Sequence, residues 1–136
     1  MTTDLDLDLD YQLKLEPGLD QFGIGLIGAG FIIRDCHLPA YTQAGFRVVG
    51  ICSRNPARAD EVAALRNVPC VYRDHHELLT DTDIQVVDIG VPPQFQPAII
   101  RDVARKAPHV RGILAQKPLA MSLAEAREIV ELCEEA

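Results

Sequence analysis

Short apolar runs recur along residues 23–136 at a spacing that leaves room for one helix between each pair. "GIGLIG" at 23–28, "FRVVGICS" at 46–53, "IQVVDIG" at 84–90 and "RGILA" at 111–115 read as strands, with a shorter one around Cys70-Val71-Tyr72. The stretches between them carry helical periodicity. Strand and helix in strict alternation call for right-handed crossovers, and so for a parallel sheet with helices on both faces. Near-continuous apolar strands fit that doubly wound α/β architecture, because each strand of such a sheet is covered above and below. At 136 residues the chain is large enough for one such core.

The intervening segments have recognisable ends. A helix is expected from about Phe31 to Ala44, broken or kinked at Pro39. Asn55-Pro56 supplies a cap and a first-turn proline for the next, with Val62, Ala63 and Leu65 facing inward. A small helix covers His75 to Leu79, and Pro93 opens another with Phe95, Ile99 and Val103 on one stripe. Ser122 with Glu125 forms a capping box before a last helix whose Leu123, Ala126, Ile129, Val130 and Cys133 repeat at helical spacing. Residues 1–22 stand apart. Leu5, Leu7, Leu9, Tyr11, Leu13 and Leu15 alternate with polar residues, mostly aspartate, as in a strand. An acidic extension is the plainer expectation for a terminus, and a pairing strand between two copies the sharper one.

The formal charge of −7 excludes the basic stripe a nucleic-acid binder needs and disfavours adhesion to anionic membranes. No apolar run reaches the length of a membrane helix. The four cysteines, Cys36, Cys52, Cys70 and Cys133, show no metal-ligand spacing, so no metal site is expected. Cys52 and Cys133 lie in apolar periodic segments and read as buried free thiols. Free thiols and an acidic N-terminus point to a cytoplasmic protein.

The turn after the first strand carries the chemistry. Gly28-Ala29-Gly30 lies between strand and helix, where one glycine allows a tight turn and another lets the backbone approach a pyrophosphate. The amides of Gly28 to Ile32, Phe31 among them, then open the helix with its positive dipole end toward the phosphates. The third glycine of the G-x-G-x-x-G pattern is replaced by Ile33. A structural glycine turn is the alternative, and the strand-turn-helix context favours dinucleotide binding. At the end of the second strand, where an NAD site carries an acidic residue, Ser53 and Arg54 stand instead. A hydroxyl and a guanidinium suit a 2′-phosphate, so NADP is expected over NAD. Arg54 as an ordinary solvated arginine, or stacked on adenine, remains open.

In order, "GLIGAG", "VVGICSRN", "VVDIGVPP" and "ILAQKPLAMSLAEAREIVE" resemble the N-terminal half of the Gfo/Idh/MocA oxidoreductases, over residues 23–136. The resemblance implies a Rossmann-type domain that transfers hydride between nicotinamide and a sugar, polyol or similar hydroxyl or carbonyl substrate. It assigns Lys117 as the catalytic lysine of an E-K-P motif, donating a hydrogen bond to the substrate oxygen. Gln116 replaces that motif's glutamate. The loop of Gly90, Val91 and Pro92 would line the nicotinamide end, and Val91–Gln96 keeps only the proline of the family's polar pattern. His75, His76 and His109 are expected away from the crevice. His37 lies nearer the cofactor, with a structural role favoured. Glu125 and Glu128 read as solvated. The second, substrate-binding domain of the family is not found in these residues, which leaves the substrate open and little catalysis expected from this chain alone. A bare domain of this kind should expose an apolar patch near the strand ends or along the last helix, covered by self-association. A non-catalytic dinucleotide-binding or oligomerisation module is the alternative.

Overall fold

The computed structural model describes residues 17–136; the alternating tract at 5–15 lies outside them. A short 3-10 turn, Leu19–Gln21, leads into a five-stranded parallel sheet built of β1 (Gly23–Ile27), β2 (Arg47–Cys52), β3 (Cys70–Val71), β4 (Val86–Ile89) and β5 (Gly112–Ala115). Its order is β3-β2-β1-β4-β5. The chain winds outward from β1 to β3, then returns to the other side of β1 for β4 and β5. The reversal falls between β1 and β4, the place where open parallel sheets leave a crevice at their carboxyl ends.

Alternation along the strands, shifted in β2 by an irregularity at Val49, feeds two separate cores. Ile24, Leu26 and Ile51 face the side covered by α1 (Leu38–Ala44) and α2 (Pro56–Arg66), where Ile33, Leu38 and Val62 meet them. Ile27, Val49, Val87 and Ile89 face the other side, against Leu78 of α3 (His75–Leu78), Ile99 and Val103 of α4 (Gln96–Lys106) and Ile129 of α5 (Leu123–Glu135). Each such side chain, fully buried, contributes about 1.5–3 kcal/mol of transfer free energy. The helix starts are set by side chains: Asn55, Asp74 and Ser122 accept amide hydrogens from Arg58, Glu77 and Glu125 in turn.

Several expectations are corrected. The segment after β1 is a π-helical stretch, Ile32–His37, that gives way to α1 at Leu38, so the helix changes type beside Pro39. Pro93 does not open α4. The helix starts at Gln96, with Pro97 as its first-turn proline, because residues 92–95 fold as a turn closed by the Phe95 amide on the Pro92 carbonyl at 3.0 Å. Tyr72 falls just beyond β3. Leu65 is exposed on α2, as are Leu123, Val130 and Cys133 on α5, where Ile129 alone is fully buried. α5 packs on α4 beside the edge strand β5, so only a narrow stripe of its apolar residues meets the core. β5 itself is covered only in part, and Leu114 is exposed. The groove between α4, β5 and α5, lined by Ile100, Val103, Ile113, Leu119, Ile129 and Val130, encloses about 580 Å³ and is the apolar surface anticipated along the last helix. Among the described residues, no helix is long and apolar enough to cross a membrane.

Candidate functional site

The carboxyl ends of β1, β2, β4 and β5 bring the sequence motifs to one edge of the sheet. Gly28 leaves β1 with φ of +116°, a backbone conformation that only glycine adopts without strain, and its amide donates to the Cys52 carbonyl at 2.8 Å. A Cβ added at Gly28 would lie 2.5 Å from the Gly90 carbonyl oxygen, so the turn is pressed against the end of β4. Gly30 is the opposite case: nothing lies within 4 Å of a Cβ placed there. The space in front of the turn is open. The first amide to reach back onto the turn is that of Arg34, bonded to the Gly30 carbonyl at 2.9 Å. The amides of Ala29 and Gly30 therefore precede the helical ladder, as a phosphate cradle needs. Phe31 is exposed beside them and Ile32 half-buried. The residues present fit a dinucleotide pyrophosphate.

Ile33, at the position of the missing glycine, is fully buried. A Cβ on Gly90 would stand 2.5 Å from its Cγ1 and 2.7 Å from its Cδ1. The close approach of helix to sheet is thus kept with the bulk moved across the contact: the helix carries the isoleucine and β4 ends in the glycine. Val91 and Pro92 follow in the same loop.

Beneath the turn lies a polar network that the sequence reading did not assemble. Asp88, in the middle of β4, has no exposed surface. Its neighbours Val87 and Ile89 face the α4 side, so alternation turns Asp88 toward α1. There its Oδ2 meets both His37 Nδ1 and the Tyr41 hydroxyl, each at 2.7 Å. The Gln116 side-chain amide stands 3.1 Å from His37 Nε2. With that amide donating, Nε2 accepts and Nδ1 carries the proton given to Asp88. Burial and the adjacent Asp88 carboxylate raise the Tyr41 hydroxyl well above its ordinary range. The one signal of this network in the sequence was an aspartate inside an apolar strand.

A second missed residue is Gln96. Fully buried at the start of α4, its amide nitrogen donates to the carbonyls of Gln116 and Pro118, both at 2.8 Å. It spans the Gln116-Lys117-Pro118 turn from both sides, and the Lys117-Pro118 peptide is cis. Lys117 is exposed, and none of the ion pairs among the described residues involves it. At the β2 end, Ser53 Oγ accepts the Asn55 amide hydrogen at 3.2 Å, and the Arg54 guanidinium lies 3.8 Å over the Phe95 ring. Glu125 and Glu128 are not free carboxylates: both bind Arg101, the latter at 2.9 Å.

A parallel sheet of this order, with an open glycine turn at its point of reversal, defines a dinucleotide-binding Rossmann domain. Residues 22–136 match the oxidoreductase family with an NAD-binding Rossmann fold, Gfo/Idh/MocA, and the chain belongs to that family. Trans-1,2-dihydrobenzene-1,2-diol dehydrogenase of Oryctolagus cuniculus is 33% identical over 107 residues, which are 78% of this chain and 30% of that enzyme. The crystal structure of an oxidoreductase from Thermotoga maritima superposes with a TM-score of 0.79 at 27% identity, covering 85% of this chain and 36% of that one. An Agrobacterium radiobacter oxidoreductase, solved with NAD+, L-tartaric acid and magnesium, gives a TM-score of 0.75 at 31% identity, over 85% of this chain and 33% of its own. The chain spans about a third of the length of the relatives it matches.

Proposed function

We propose that this chain is the cofactor-binding part of an NADP-preferring oxidoreductase acting on a sugar, polyol or related hydroxyl or carbonyl compound. The observation that carries the reading is the turn at Gly28–Gly30, folded back on Gly90 and open in front of Gly30. When bound, the nicotinamide supplies the hydride acceptor or donor. The amides of residues 29–32 hold the pyrophosphate, the Gly28 amide being spent on the Cys52 carbonyl, and Gly90, Val91 and Pro92 line the nicotinamide end. Lys117 donates a hydrogen bond to the substrate oxygen, stabilising charge there as hydride leaves or arrives. Gln116 supplies no negative charge to the lysine. It holds the turn instead, through its contact with His37 and its carbonyl on Gln96.

The preference for NADP rests on Arg54. Its guanidinium stands over the Phe95 ring just past the end of β2, where Ser53 adds a hydroxyl in place of the carboxylate that would oppose a 2′-phosphate. Titration calorimetry with NADPH and NADH tests the assignment. NADPH should bind the tighter, and Arg54→Ala should weaken it by roughly 10- to 150-fold, the equivalent of one charged hydrogen bond, while NADH is little changed. Equal affinity for the two dinucleotides refutes the NADP assignment. Heat from neither refutes the whole reading.

The apolar groove beside β5 supports a second reading, self-association of the chain through that face. Sedimentation at high concentration should then show a dimer or larger species, and a clean monomer counts against it.

A further inference from the structure

The face of the sheet opposite α1 and α2 carries a side-chain cluster that dinucleotide binding does not use. His75 and His76 are the first two residues of α3, and Asp102 lies in the middle of α4. Asp74 caps α3 by accepting the Glu77 amide hydrogen at 2.9 Å, which fixes the direction in which the two imidazoles leave the backbone. The rings lie with centroids 4.0 Å apart at a tilt of 37°. Both approach the same carboxylate oxygen: His75 Nε2 is 2.9 Å from Asp102 Oδ2, and His76 Nδ1 is 3.7 Å from it. The other oxygen, Oδ1, is held by Lys106 Nζ at 2.6 Å.

Packing of α3 on α4 accounts for part of this. A hydrogen bond from His75 to Asp102 is an ordinary way to join two helices. It does not account for His76, which is half-exposed yet has its ring beside that of His75 with a nitrogen too far from Asp102 to hydrogen-bond. Two imidazole nitrogens and a carboxylate oxygen, all within 4.8 Å of one another, are a ligand set that zinc takes. Donors at the corners of a tetrahedron around zinc stand about 3.3 Å apart. The two contacts to Oδ2, at 2.9 and 3.7 Å, bracket that spacing. The separation of the two nitrogens, 4.8 Å at most, needs the rings to close by no more than about 1.5 Å.

We propose that His75, His76 and Asp102 form a binding site for a divalent transition ion of the zinc class, with solvent as the fourth ligand. The ion joins the start of α3 to α4, and Lys106 keeps the oxygen that the ion does not use.

The proposal is independent of the dinucleotide reading and is tested on the chain stripped of metal by a chelator. Zinc titrated calorimetrically should bind one ion per chain and raise the melting temperature, since binding to the folded form alone stabilises it. Cobalt in place of zinc should give the ligand-field absorption of a four-coordinate site with nitrogen and oxygen donors. His76→Gln removes a half-exposed ligand, should leave the metal-free melting temperature unchanged and should weaken zinc by about tenfold or more. Asp102→Asn should do the same to zinc. Lys106→Gln removes a neighbouring positive charge and should tighten it. No saturable binding by millimolar zinc overturns the proposal. So does binding that survives both His76→Gln and Asp102→Asn, or a cobalt spectrum dominated by sulfur charge transfer, which would place the ion on the exposed Cys70 or Cys133.

Discussion

Placing one methyl group on Gly90 tests how this chain does without the third glycine of its phosphate turn. The added carbon would sit 2.5 Å from Ile33 Cγ1, where carbon atoms in contact normally stand about 3.5–4.0 Å apart. Ile33 is fully buried and has nowhere to retreat, so either the helix or the end of β4 must shift by about 1 Å. Overpacking of this kind costs about 1–3 kcal/mol. Ile33→Ala alone should cost about 2–5 kcal/mol, the usual range for emptying a buried isoleucine site. Combined, the two changes partly cancel, because the new methyl enters space the isoleucine has left. The double variant should therefore be more stable than the sum of the single losses predicts, by about 0.5–3 kcal/mol. Urea unfolding followed by far-ultraviolet circular dichroism measures all four corners of the cycle. Gly90→Ala should also weaken dinucleotide binding, since the same shift displaces the turn at Gly28. Costs that add within about 0.5 kcal/mol, or a Gly90→Ala variant as stable as the parent, would refute the account of helix-to-sheet packing.

Asp88→Asn should destabilise the domain by about 1.5–3 kcal/mol, because the carboxylate oxygen that serves both His37 and Tyr41 loses its charge; thermal unfolding reads this directly. The Asp81 carboxyl, which accepts from the Tyr72 hydroxyl, is held below its usual range by that bond and by the Asp83 amide. A depressed carboxylate stabilises the fold above its unfolded pKa, and the contribution is lost as pH falls through the folded value, below about pH 4. Tyr72→Phe should therefore raise the Asp81 pKa in an NMR titration and flatten the acid limb of the stability profile; an unmoved Asp81 rules the bond out as the cause. Burial pushes the Cys52 thiol up to about 12, so a thiol reagent near neutral pH should label Cys70 and Cys133 in the folded protein and Cys52 only on unfolding, with labelling read by mass spectrometry.

The sheet was legible because each strand is a compact apolar run, and the starts of α2 and α5 because Asn55 and Ser122 announce them. Local patterns fared worse where neighbours decide. Pro93 and Pro97 both satisfy the rule for a first-turn proline, and the turn at 92–95 chose the second. Periodicity marked Leu123, Val130 and Cys133 as equals of Ile129, but sequence spacing does not reveal how wide a stripe of α5 the rest of the fold will cover. At the site, glycines were readable because a turn restricts their conformation locally. Asp88 and Gln96 were not, and for His37 only a structural role near the cofactor was legible, since their partners lie 20 to 79 residues away.

Phe95 and Gln96 are neighbours in the chain, yet each serves a different end of the crevice. Phe95 supports the guanidinium at the β2 end, and Gln96 grips the carbonyls on either side of Lys117. If Arg54 and Lys117 have the roles proposed for them, redesigning cofactor choice through the aromatic residue would disturb the lysine's mooring one peptide away. Engineering either end would then mean re-tuning the other.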